Sequence, residues 1–148
     1  AKDILSKIDL IKEDISYLDK ISQINEVSGI KVMLILNMQG TSPIVAGLGT
    51  SGDGFISMTG ASNAANQFEG WKPISSEAII AYNPDYIIIT NRGMSSFPDV
   101  QSLANTTSLR LTSAAQNGRI LQEDGMAMLG FGTRTISTAI QFAKLFSE

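Results

Sequence analysis

The 148-residue sequence is 43% hydrophobic and 17% charged with a formal net charge of −3, a balance that fits one globular domain with a real core. It has no cysteine and no histidine, which excludes Cys–His and Ser–His catalytic sets, Cys or His zinc sites and the commonest protein ligand of haem iron. Its Lys and Arg residues are scattered singly, so no basic stripe invites a nucleic acid, and no apolar run approaches the roughly 20 residues that cross a bilayer.

The start Ala1-Lys2-Asp3 does not read as a signal peptide, so the chain is expected to be processed or trimmed. Lack of cysteine suits an oxidising compartment. From residue 3 to about 25, Ile4, Ile8, Ile11, Ile15 and Leu18 recur at alternating spacings of four and three, which predicts an amphipathic helix. Such a helix would be roughly 35 Å long, as long as a small domain is wide. Residues 1–27 are therefore expected to serve both this core and something beyond it, and residues 28–148 to form the domain proper.

Lys31 to Leu36 is a near-continuous apolar run, which predicts a strand buried on both faces, as in parallel sheets. A polar loop at 37–42 is expected next, then a short strand at Pro43–Ala46, a Gly47-Leu48-Gly49 turn and a helix over about 50–59. A further helix is predicted at 75–82 and a buried strand at Tyr86–Ile89. Short helices near 98–104 and 111–116 should precede a last strand at Arg119–Leu121, and residues 133–146 should close the chain as a helix. Strands alternating with helices predict a three-layer α/β/α domain with a mostly parallel sheet. In such a sheet the ligand end is the carboxyl edge of the strands. Loops 37–42, 47–50, 91–97 and 124–132 should gather there, with 67–73 beside them.

Gly47-Leu48-Gly49-Thr50-Ser51-Gly52 fits a G-x-G-x-x-G dinucleotide turn between a strand and a helix. A nucleotide-using α/β enzyme is thus one reading. The next strand and acidic residue such a fold needs are replaced by Asn63–Gly70, a predicted loop. The other reading makes the glycines a tight strand-to-helix turn with free N–H groups facing the cleft and Thr50 or Ser51 as cap. Met126, Met128, Leu129 and Phe131 lie in a glycine-broken loop, and Met38 and Met94 in two others. Adaptable apolar side chains at a ligand edge suit a flat, greasy ligand, and Arg92 and Lys72 could counter its carboxylates. The carboxylates show no spacing that forces a catalytic pair, and the serines have no base, so a non-catalytic module is expected.

Several segments together resemble one family: Val32–Gly40, Val45–Thr50, Phe68-Glu69-Gly70-Trp71-Lys72-Pro73-Ile74-Ser75-Ser76-Glu77-Ala78, Asn83–Ile88, Asn117–Ile120 and Leu129–Thr135. In order and spacing they resemble the C-terminal lobe of ABC-transporter substrate-binding proteins for haem, ferric siderophores and cobalamin, the haem-binding members most closely. The resemblance implies a periplasmic or membrane-tethered protein of two lobes joined by a long helix. Residues 3–25 would be the end of that helix, and the N-terminal lobe would lie outside this chain.

By position the resemblance places Trp71 against the ligand and Glu77 where the lobe docks on the permease; Lys72, next to Trp71, is a candidate by its charge. A first-turn acid is favoured by the helix dipole, and one exposed charge can dock selectively. No intrinsic cofactor is implied; haem, a ferric siderophore or a corrinoid would be cargo. Tyr17, Tyr82 and Tyr86 are expected away from the cleft, so an iron ligand would come from the other lobe or from Met38, Met94 or Met126.

Overall fold

Two almost wholly apolar runs, Val32–Ile35 and Tyr86–Ile89, set the architecture, because alternate side chains of each must be covered on opposite faces. The computed structural model describes residues 2–130 and 132–148. Its strands are β1 (Lys31–Gln39), β2 (Ser42–Ala46), β3 (Ser62–Asn63), β4 (Trp71–Pro73), β5 (Tyr86–Thr90) and β6 (Ile120–Glu123). Its helices are α1 (Lys2–Ser28), α2 (Ser51–Met58), α3 (Ser76–Tyr82), α4 (Asn91–Met94), α5 (Val100–Ala104), α6 (Ser113–Gln116), α7 (Gly125–Leu129) and α8 (Thr133–Phe146).

The sheet order is β4-β2-β1-β5-β6, with β3 beside the start of β1. β1 pairs parallel with β5 from Val32↔Tyr86 to Ile35↔Ile89, and β5 parallel with β6 from Ile87↔Ile120 to Thr90↔Glu123. The mostly parallel three-layer arrangement read from the sequence is therefore present. One face carries Leu34, Ala46 and Ile88 under Leu18, Phe55, Met128, Phe142 and Phe146. The other carries Met33, Ile35, Val45, Ile87 and Ile89 under Ile79, Met94, Leu103 and Leu109.

The expected polar loop at 37–42 is a correction. β1 runs on to Gln39 and turns through Gly40-Thr41 into β2, with Met38↔Pro43 and Gln39↔Ser42 paired antiparallel. Two residues make that turn, so Asn37 and Gln39 are ladder residues despite their polarity. The expected loops at 67–73, 91–97 and 124–132 likewise contain β4, α4 and α7.

Only the second half of α1 touches the lobe. Leu18 and Ile21 are buried, while Ile4, Ile8 and Ile15 of the same apolar row are exposed. Asn25, wholly buried, fastens this half: its Nδ2 donates to Thr59 O at 2.8 Å and to Ala143 O at 3.0 Å, joining α1 to the turn after α2 and to α8. Gly60 permits the approach. It has φ +84°, and a Cβ there would lie 2.0 Å from Ser22 O. A Gly60→Ala substitution meets both the steric clash and the backbone penalty, so it should cost more than about 2 kcal/mol and lower the melting temperature by roughly 5 °C or more. Thermal unfolding followed by circular dichroism checks this; an unchanged melting temperature would contradict it.

Candidate functional site

The ends of β5 and β6 meet the middle of β1. Leu36 lies at the irregularity of β1 between Ile35 and Asn37, Thr90 closes β5, and Glu123 closes β6 ahead of Asp124. Thr90 is 2% exposed, and its hydroxyl donates to Leu36 O at 2.7 Å while accepting from Gly93 N–H at 3.0 Å. One side chain thus ties the end of β5 to β1 and caps α4. Asp124 repeats the device one strand over: its Oδ1 accepts from Met126 N–H at 3.0 Å and caps α7. Between them opens a cavity of about 460 Å³ lined by Leu36, Thr90, Asn91, Arg92, Asp124, Gly125, Met126, Leu129 and Gly130. This volume is in the range of small-molecule sites. Its lining is mainly apolar with one arginine, one carboxylate and one amide.

Three sequence-derived candidates line this cavity: Arg92 and Met126, both exposed, and Leu129, half-buried. Met94 and Met128 do not: they are 6% and 0% exposed and belong to the two cores. The reason is helical periodicity, since Met94 lies two residues beyond Arg92 and Met128 two beyond Met126, about 200° around a helix axis. Phe131 lies outside the described residues. Met38 lines a second cavity of about 350 Å³ with Phe97 and Thr106–Ser108. Tyr86 packs against the Phe146 ring at 4.7 Å, and Tyr82 lines a cavity with Gly29 and Lys31 at the amino edge.

Gly47, Leu48, Gly49, Trp71 and Lys72 form a second group, outside the main cavity. Gly47 N–H donates to Gly70 O and Leu48 N–H to Phe68 O, both at 2.9 Å, which prolongs the β2–β4 ribbon. Trp71 is half-buried and stands against α2. A Cβ on Gly52 would come within 3.1 Å of Trp71 Cη2 and 2.6 Å of Ala46 Cβ, so only glycine lets the helix sit this close. Lys72 is exposed, its Nζ 5.6 Å from the Phe68 ring centre. The two groups are linked because α2 packs against α7.

The expectation of free N–H groups in this turn fails for its first three residues. The donors of Gly47 and Leu48 are used as above, and Gly49 N–H donates to Asp53 Oδ2 at 3.1 Å. Asp53 is held in turn by Asn63 Nδ2 at 3.1 Å, and Asp53 N–H donates to the cap Thr50 Oγ1 at 3.0 Å. The Asp53 carboxylate thus takes the Gly49 donor and puts a negative charge beside the turn, and like charges repel. This weighs against the nucleotide reading. ATP and NAD(H) titrated into the chain should leave the melting temperature unchanged; a saturable shift would contradict this.

Glu77 is exposed in the first turn of α3, which Ser75 caps by accepting from Ala78 N–H at 3.2 Å. Among the described residues, the one ion pair is Arg134–Asp124 at 3.1 Å, and no helix is long and apolar enough to cross a membrane.

A periplasmic binding protein family model matches residues 2–124. The chain belongs to the periplasmic binding protein family. The resemblance drawn from the sequence motifs is thus sustained. Solved structures like this periplasmic binding protein lobe include the periplasmic haem-binding protein BhuT in complex with two haems, with 27% identity and TM-score 0.85 over 97% of this chain and 55% of that one. A periplasmic haem-binding protein from Pseudomonas aeruginosa matches with 28% identity and TM-score 0.73 over 97% of this chain and 51% of that one. HutB of Vibrio cholerae, also a periplasmic haem-binding protein, matches with 27% identity and TM-score 0.72 over 86% of this chain and 52% of its own. The chain thus spans about half the length of the structures it matches. No curated protein sequence matches it.

Of the cavity lining, Thr90 and Asn91 were missed as site residues. Their position at the end of a buried parallel strand is the signal that finds them. Thr90→Val keeps the shape but strands Leu36 O and Gly93 N–H, so it should destabilise the fold by about 1–3 kcal/mol. Urea unfolding measures this; a change in midpoint too small to resolve would contradict the joint assigned to Thr90.

Proposed function

We propose that this chain is the C-terminal lobe of a non-catalytic solute-binding protein of an ABC importer. It would take haem or a related iron chelate into a cleft shared with an N-terminal lobe and deliver it to the permease. The observation that carries this reading is the mainly apolar cavity at the carboxyl edge, with Arg92 and Met126 on its wall, in a chain of this family.

Haem-binding neighbours above 25% identity favour a flat, greasy, anionic cargo. The cavity chemistry agrees, since Met126 and Leu129 offer an adaptable apolar surface and Arg92 a cation for carboxylates. Trp71, Lys72 and Leu48 would extend the same face, with Trp71 braced by α2 and Leu48 40% exposed. Gly47 holds that rim to Gly70 beside β4, and Gly49 holds it to Asp53 of α2. Iron would be ligated from the other lobe, or by Met38 or Met126.

The exposed half of α1 supports the two-lobe reading. Ile4, Ile8 and Ile15 continue the row of the docked Leu18 yet cover nothing in this lobe, which suits an interlobe helix buried on the N-terminal lobe. The periplasm, or the outer surface of a membrane to which the protein is tethered, is the location this implies. Glu77, exposed on α3, would meet an arginine of the permease.

Haemin, a ferric siderophore and cobalamin titrated into the two-lobed protein distinguish the cargoes. Haemin should give a saturable visible-absorbance change and a raised melting temperature; silence with all three would contradict the reading. Glu77→Lys should reduce ligand uptake through the importer about tenfold or more, with the ligand Kd unchanged, because a buried charge clash costs more than about 1.4 kcal/mol at an interface. Uptake at the wild-type level would remove Glu77 from docking.

A further inference from the structure

The main cavity does not stop at Met126. Met126 and Gly130 also line a shallower hollow of about 230 Å³, completed by Gly132 and Arg134. Met126 thus stands between two cations, Arg92 on the cavity side and Arg134 on the other. Arg92 enters no ion pair among the described residues, whereas Arg134 Nη2 is 3.1 Å from Asp124 Oδ2. Asp124 has a double duty: its other oxygen caps α7, accepting from Met126 N–H at 3.0 Å. The pair is exposed, the Arg134 side chain by 66% and that of Asp124 by 39%.

We propose that Asp124 is an internal stand-in for a ligand carboxylate, holding Arg134 at the edge of the cavity until an acidic ligand takes its place. The inference rests on the ligand-binding reading above and adds a residue that sets its specificity. An exposed ion pair is weak, since water screens it and two long side chains are ordered to make it. A planar ligand lying over Met126 can offer one carboxylate to Arg92 and another to Arg134. Guanidinium–carboxylate contacts gain in strength as the ligand excludes water. Asp124 then keeps its cap and yields only its second oxygen. A ligand without carboxylates has nothing to exchange, so the pair penalises neither its entry nor its exit. Asp124 is accordingly a positioning residue for Arg134, and the pair sorts ligands by acidity.

The test uses the two-lobed protein with haemin and haemin dimethyl ester, which share a ring and differ in charge. Asp124→Asn keeps the α7 cap, since asparagine caps as well as aspartate, but releases Arg134. It should tighten haemin about two- to fivefold, the scale of an exposed pair, and leave the ester unmoved. Arg134→Gln should weaken haemin and again spare the ester, and in the double variant Asp124→Asn should no longer tighten binding. Haemin affinity unchanged or weaker in Asp124→Asn overturns the proposal. So does an equal shift for the ester, because that marks a change of shape rather than of charge. Wild-type protein that binds haemin while both variants match it overturns this inference alone, whereas wild-type protein that binds no haemin overturns the haem reading and this inference with it.

Discussion

The Thr90 hydroxyl is the joint on which the carboxyl edge of the sheet depends. It bridges Leu36 O and Gly93 N–H at 2.7 and 3.0 Å, so β1 at Leu36, the end of β5 and the start of α4 are fixed by one buried side chain. The parallel ladder from Val32↔Tyr86 to Ile35↔Ile89 brings both strands to that point in step. Its register is secured because each face is buried and a one-residue slip would exchange them. The cavity wall is therefore rigid by inheritance from the core, while the residues that would touch a ligand sit on one-turn helices beyond it.

That division of labour suits the binding role proposed for a chain without histidine or cysteine. A binding lobe needs a stiff base, an adaptable apolar surface and a few placed charges. The two strand-end caps provide the placement. Thr90 starts the turn that turns Arg92 outward, and Asp124 starts the turn that exposes Met126. In both turns the residue two positions on points the other way, and Met94 and Met128 lock each short helix into its core. Each turn thus joins one exposed, cavity-lining side chain to one buried anchor. The opposite end of the sheet is built for attachment instead, with Asn25 and Gly60 bringing α1 against α2 and α8.

Much of this was legible in the sequence because periodicity and caps are local. The unbroken apolar runs at Val32 and Tyr86 read correctly as strands covered on both faces, and residues 133–146 as the closing helix, while of the two caps offered for the next helix, Thr50 and Ser51, Thr50 is the one that caps it. The row from Ile4 to Leu18 likewise showed the long first helix. What misled was polarity taken as a sign of loop. Asn37 and Gln39 are polar yet belong to β1, since the Gly40-Thr41 hairpin carries them into antiparallel pairing with β2. The segments after β5 and β6 are too short for a helical pattern to show, so their methionines looked alike. The fate of the Gly47–Gly52 turn depended on Asp53, whose carboxylate fills the turn's own donor site, and no motif spacing reveals such a contact.

The central claim is that the carboxyl edge of the sheet, and not its amino edge, is the ligand face. Binding of paramagnetic haemin to the isotopically labelled two-lobed protein, followed by loss of backbone amide signals in NMR, tests it directly. Broadening should centre on Leu36, Thr90–Arg92 and Gly125–Gly130, with Lys31, Ser62 and Gly118 at the far edge left sharp. Broadening centred on Lys31, Ser62 and Gly118 would contradict the account.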